Sequence, residues 1–96
     1  MTAEDDQLEA LRARIDELDR AIVDRLNERA RLALEAGRLK AAAGRDRVRD
    51  PEREREVLLR VAMANDGPLP QADLVEIYRR LIEALVALEE RDTASH

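Results

Sequence analysis

The chain contains no cysteine, no phenylalanine and no tryptophan, and its single histidine, His96, is the last of 96 residues. Without cysteine there is no disulfide and no thiolate metal or redox site, and one terminal histidine cannot build a metal cluster within one chain. Tyr78 is the sole aromatic side chain, so the core has to be assembled from Leu, Ile, Val and Ala. Glycine and proline number three each, and the period-two alternation of strands is absent. An all-α fold follows. No apolar run approaches the ~20 residues of a membrane span. The acidic opening MTAEDDQ is unlike a signal peptide, and a cytoplasmic location is expected. A net charge of −5 argues against general nucleic-acid binding but leaves room for a local cationic pocket.

What the chain does have is helical periodicity. Leu8, Leu11, Ile15, Leu18, Ile22, Leu26, Ala33 and Ala36 recur at steps of three and four, one stripe of a helix predicted from about Asp5 to about Ala43. Gly37 falls inside it, tolerable at ~1 kcal/mol relative to Ala, and Gly44 is its stop. After the charged connector RDRVR, Asp50-Pro51 reads as a helix start, with Asp50 as N-cap and Pro51 in the first turn. This second helix carries Val57, Leu58 and Val61 on one face and ends near Asn65. The turn NDGPLP leads to a third helix starting at about Gln71–Asp73, with Leu74, Ile77, Tyr78, Leu81, Ile82, Leu85 and Leu88 on its apolar face. Residues 1–96 are read as a single helical domain with frayed tails at about 1–5 and 92–96.

About 38 residues at ~1.5 Å each make the first helix a rod of ~57 Å, far longer than the radius of ~12–13 Å of a compact chain this size. Two shorter helices cannot cover such a stripe, and an exposed apolar stripe is an association site. A homodimer packing long helix on long helix is the expected solution. The alternative is a first helix broken at Gly37 and folded into a monomeric bundle.

Two cations stand on that stripe. At ~100° per residue, Arg29 and Lys40 are separated by about 20°, roughly 16 Å apart along the axis, and long cations on a core-facing stripe need an anionic partner or a route to solvent. Arg12 lies on the stripe's flank, where a solvated arginine is the simpler reading. Glu54 points inward with Val57, Leu58 and Val61, flanked by Arg53, and Glu89 continues the row of Tyr78, Ile82 and Leu85. These charges, spread over three helices, either neutralise one another as a buried network in a helical dimer or converge on a pocket for an anionic ligand.

Three stretches decide between those readings: LEALRARIDELDRAIVDRLNERARLALEAGRLK, then VRDPEREREVL, then the third helix ending LVALEE. In this order the chain resembles the all-helical (AroQ-type) chorismate mutases over nearly its whole length. The family's Asp-x-x-Arg-Glu signature stands here as Asp50-Pro51-Glu52-Arg53-Glu54. The resemblance implies a three-helix protomer, an intertwined six-helix homodimer and two shared pockets. It puts the pocket on Arg12, Arg29, Lys40, Asp50, Arg53, Glu54 and Glu89, with Arg12 reaching the other subunit's site. Three departures accompany it. The Lys40–Asp50 stretch is about one residue longer than in compared members, Glu89 stands where many bacterial members have Gln, and Leu85 replaces a small hydroxyl residue found in some.

The implied reaction, chorismate to prephenate, is an intramolecular [3,3] rearrangement needing no nucleophile, metal or cofactor. The enzyme holds a flexible dicarboxylate in its compact conformer and stabilises negative charge growing on the ether oxygen. By resemblance, the guanidinium forks of Arg12, Arg29 and Arg53 suit the carboxylates. Lys40 and a protonated Glu89 suit the ether oxygen. Glu54, with the backbone around Asp50, suits the ring hydroxyl. Lys40, Glu89 and Arg29 are the expected catalytic residues. Two rivals stand beside this reading: an isochorismate-pyruvate lyase using a similar pocket, and a non-catalytic dimeric helical module. Neither feedback control nor a partner enzyme of the shikimate pathway is legible in the sequence.

Overall fold

The structure, a computed structural model, describes residues 2–45 and 49–95. Residues 46–48 of the charged connector, together with Met1 and His96, lie outside the described residues. Three helices follow in order, α1 (Ala3–Ala42), α2 (Pro51–Ala64) and α3 (Gln71–Ser95). Among the described residues no helix is long and apolar enough to cross a membrane.

Each boundary has a local cause. At the start of α1 the Asp5 backbone N–H donates to Thr2 Oγ1 at 3.1 Å, and the Thr2 N–H donates to Asp5 Oδ2 at 3.2 Å. This reciprocal capping satisfies donors that the first turn would otherwise leave without partners. The hydrogen bonds from the Thr2 backbone and side chain hold the Asp5 carboxyl below its ordinary range. α1 runs without a break through Gly37, so the alternative of a helix folded back at that glycine is set aside. Its exit is a Schellman motif. The Arg45 N–H reaches the Lys40 carbonyl at 2.8 Å and the Gly44 N–H reaches the Ala41 carbonyl at 3.1 Å, with Gly44 at φ +79, where a glycine avoids the Cβ penalty.

α2 begins as the sequence predicts. Asp50 is the N-cap, its Oδ1 accepting the Arg53 N–H at 3.1 Å, and Pro51 occupies the first turn. Asn65 caps the other end and closes the turn to α3, donating from Nδ2 to the Leu69 carbonyl at 3.0 Å and accepting the Gly67 N–H on Oδ1 at 2.9 Å. α3 extends to Ser95, so residues 92–95, expected as a frayed tail, are helical. Thr93 and Ser95 hydroxyls donate back to the carbonyls of Glu89 and Arg91, and Asp92 is tied to Arg38. The other expected tail is likewise helical from Ala3, by virtue of the Thr2–Asp5 cap.

The chain divides into two units, Met1–Leu32 and Ala33–His96. The first is the larger part of α1. None of its described side chains is buried, and the stripe Leu8, Leu11, Ile15, Leu18, Ile22 and Leu26 is 39–62% exposed. The second contains the end of α1 together with α2 and α3, which pack on each other. Its core is Ile82, Leu85 and Val86, each 8% exposed, backed by half-buried Val57, Leu58 and Val61 of α2. The buried face of α3 is therefore centred on 82, 85 and 86, one helical stripe. Ile77, expected on that face, is exposed, and Val86, absent from the expected row, is buried.

Candidate active site

Two of the expected site residues belong to the N-terminal unit. Arg12 is exposed and its Nη1 lies 3.7 Å from Glu9 Oε1, a pair one turn apart on the helix surface. Such exposed pairs contribute little, so the guanidinium remains available to an anion. Arg29 is half-buried on α1.

In the second unit, the last turns of α1 face the end of α3. Lys40 is half-buried and follows Gly37 by three residues, so the two share one face of the helix. The Glu89 carboxyl lies over that glycine. A Cβ built on residue 37 would stand 3.8 Å from Glu89 Oε1 and 4.0 Å from its carboxyl carbon. Glu89 is thereby brought to the face of α1 that carries Gly37 and, one turn on, Lys40. Beside them Arg38 grips Asp92 with a two-pronged contact, Nε to Oδ2 at 3.1 Å and Nη2 to Oδ1 at 2.9 Å. That hydrogen bonding, reinforced by the charge of Asp92, raises the Arg38 guanidinium above its ordinary value.

The first turn of α2 supplies a second group. The Asp50 carboxylate is occupied in capping, which fixes the Arg53 backbone, while the Arg53 side chain reaches Glu56 at 3.3 Å and stays exposed. Glu54, half-buried by its side chain, accepts two hydrogen bonds from Arg49, from Nε at 3.1 Å and from Nη2 at 3.0 Å. Arg49 also bonds Glu83 of α3, so one guanidinium joins the connector, α2 and α3. The bonds to Glu83 and then to Glu54 push Arg49 above its usual value, and the bond from Arg49 holds the Glu83 carboxyl below its usual range. Leu85 belongs to the apolar core.

The structure thus brings Lys40 and Glu89 to one face of α1 and places Asp50, Arg53 and Glu54 together on the first turn of α2. Arg12 and Arg29 stand on the N-terminal unit. Sequence reasoning missed Arg38, Arg49, Glu83 and Asp92. Arg49 had a faint signal as a cation just before the α2 cap. Arg38 and Asp92, 54 residues apart, had none.

Residues 11–90 match the family described as chorismate mutase type II. The chain is 41% identical over 92 residues to the bifunctional chorismate mutase/prephenate dehydratase of Stutzerimonas stutzeri, covering 92% of this chain and 25% of that protein. It is 40% identical over 90 residues to the protein of the same description from Aquifex aeolicus, covering 90% of this chain and 25% of that one. The chain therefore spans about a quarter of the length of these curated relatives. Among solved structures, chorismate mutase (form II) from Thermus thermophilus superposes with a TM-score of 0.84 at 36% identity, covering 88% of this chain and 96% of that one.

Proposed function

The chain belongs to the chorismate mutase type II family, and on that premise we propose that it rearranges chorismate to prephenate, a step of aromatic amino-acid biosynthesis. The observation that carries this reading is the approach of the Glu89 carboxyl to Gly37, one turn from Lys40. A carboxyl, which donates a hydrogen bond when protonated, and a cation then share the face on which the ether oxygen would gather charge. Stabilising that charge in a site already organised for it, together with holding the compact conformer, is the whole catalytic requirement of an intramolecular rearrangement.

The remaining charges take roles by their chemistry. Arg12, Arg29 and Arg53 receive the two carboxylates, for which planar guanidinium forks are suited. Lys40 and protonated Glu89 address the ether oxygen. Glu54 and the backbone at Asp50 receive the ring hydroxyl. A second copy of this chain covers the exposed stripe of α1, and Arg12 serves the partner's pocket, so that residues 1–96 act as one domain within a homodimer. An apolar stripe of this length, with no buried residue among the described residues of its own unit, supports that assembly.

The test is turnover by the purified chain. Chorismate and isochorismate are supplied separately, and prephenate and pyruvate are measured. Prephenate from chorismate is the expected result. Pyruvate from isochorismate without prephenate would make the chain a lyase, and no product from either would make it a binding module.

A further inference from the structure

The ion pair between Arg38 and Asp92 has a geometry that its exposure does not explain. Its two hydrogen bonds, at 3.1 and 2.9 Å, run from two guanidinium nitrogens to the two oxygens of one carboxylate. This fork-on-fork contact fixes direction as well as distance, unlike a point-charge contact. The Asp92 side chain is 17% exposed against 57% for Arg38, so the carboxylate is the sheltered anchor and the arginine reaches to it. Their places along the helices matter equally. Asp92 follows Glu89 by three residues and shares its face of α3, while Arg38 lies between Gly37, over which the Glu89 carboxyl sits, and Lys40.

We propose that Arg38 and Asp92 form a positioning clamp that sets the Glu89 carboxyl against α1 beside Lys40. The proposal rests on the reading of Lys40 and Glu89 as the pair addressing the ether oxygen. The need for a clamp follows from where Glu89 stands. It lies within the last two turns of α3, which ends at Ser95, and terminal turns of helices fray. A glutamate there has three rotatable bonds, and the glycine beneath it offers no side chain to pack on. The clamp one turn further on pins that stretch of α3 to α1. The bare Gly37 surface leaves room for the carboxyl, and the guanidinium fork sets the spacing between the helices at that point. Neither Arg38 nor Asp92 touches the reacting atoms in this arrangement. They act through Glu89.

The experiment uses the full chain with Asp92→Ala, Arg38→Ala, Arg38→Lys and the exchanged pair Arg38→Asp/Asp92→Arg. Each is assayed on chorismate and in a Glu89→Ala background, after circular dichroism has verified folding. Asp92→Ala is expected to lower kcat by about 10-fold, inside the ~10²-fold range of a misplacement near 1 Å. KM should move much less, since the arginines that hold the carboxylates are untouched. Arg38→Lys keeps the charge but loses the fork, and should recover only part of the loss. The exchanged pair should recover more than either single change. In the Glu89→Ala background, removing Asp92 should cost nothing further, because residues acting through one group are not additive. An unchanged kcat in folded Asp92→Ala, or a full second loss in the Glu89→Ala background, overturns the clamp. Amide exchange gives a measure independent of turnover. Asp92→Ala should speed exchange at residues 89–93, and unchanged exchange there overturns the proposal. A wild-type chain that makes no prephenate would instead sink the functional reading, with the exchange experiment still judging the clamp.

Discussion

Residues 1–32 and 33–96 carry apolar side chains in comparable patterns but use them differently. In the second unit α2 and α3 close on each other around Ile82, Leu85 and Val86, and ion pairs such as Arg38–Asp92 and Arg49–Glu83 join residues far apart in sequence. In the first unit none of the described side chains is buried, and the ion pairs among its described residues, Arg12–Glu9, Arg14–Glu17 and Arg25–Glu28, are local i,i+3 contacts on one helix. Local pairs add only a few tenths of a kcal/mol each, and isolated helices are marginal in water. One region thus has a core of its own, and the other carries its apolar stripe exposed. Expected site residues fall in both, Arg12 and Arg29 in the first and Lys40, Asp50, Arg53, Glu54 and Glu89 in the second.

The largest effects should come from the half-buried cation of each region. Arg29→Ala in the first unit and Lys40→Ala in the second are each expected to lower kcat/KM by roughly 10³-fold, on the scale of losing a charge-stabilising donor. Circular dichroism and sedimentation should still report a folded helical assembly. Near-wild-type turnover in either variant, or a loss wholly accounted for by unfolding, removes that residue from the site.

A charge on the exposed stripe tests the comparison itself. Ile22→Asp puts a carboxylate at the centre of the surface assigned to a second copy, where burying an unpaired charge is costly. Loss of the dimer by sedimentation and loss of activity at low protein concentration are expected together. A companion experiment asks whether the regions cooperate across chains. Mixing Arg12→Ala with Arg29→Ala protein should restore about a quarter of wild-type activity, since half the dimers are mixed and each mixed dimer regains one of two pockets. Mixed dimers that form and remain inactive would show that the pockets are not shared.

The helices themselves were largely legible. The three-four spacing from Leu8 to Ala36, the Asp50-Pro51 start and the Gly44 stop each encode a local event, and local events leave local traces. The contacts between the helices were not. Arg38 meets Asp92 across 54 residues, and nothing in the spacing of two charges says that their helices will come together. The exchange of Ile77 for Val86 in the α3 core has the same origin. Periodicity finds a stripe, but its centre is set by the helix that packs on it. Gly37 was readable only as a cost to α1, and its use as a shelf for Glu89 required the third helix to be in place.

A smaller effect sharpens the account of the second unit. A Gln at position 89 donates an N–H at any working pH, whereas Glu donates only when protonated. With Glu89, turnover should fall as pH rises through its titration, giving an acid-shifted optimum. Glu89→Gln should flatten that profile and raise activity at neutral pH. A wild-type profile that is flat from about pH 5 to 8 would place Glu89 outside the reacting centre.

The smallest expected effect concerns stability, and it has one representative in each region. Asp5 is held below its ordinary range by hydrogen bonds from Thr2, and Glu83 by its bond from Arg49. A carboxyl whose folded pKa is depressed contributes stability that is fully present above its unfolded value, about 4 for these groups. That contribution is lost as pH falls through the lower folded value. Both groups are exposed, so screening keeps each contribution small. Glu83→Gln should therefore lower the urea midpoint slightly at pH 7, and the gap to wild type should close as the pH is taken from about 4 toward 2. Asp5→Asn should behave alike through the α1 cap, although Asn retains part of the capping ability. Added salt should narrow the Glu83 difference more than the Asp5 difference, because the first is an ion pair and the second a set of short-range hydrogen bonds to a neutral residue. A Glu83→Gln gap that persists unchanged at about pH 2–3 would mean that the Arg49 contact acts through packing rather than charge.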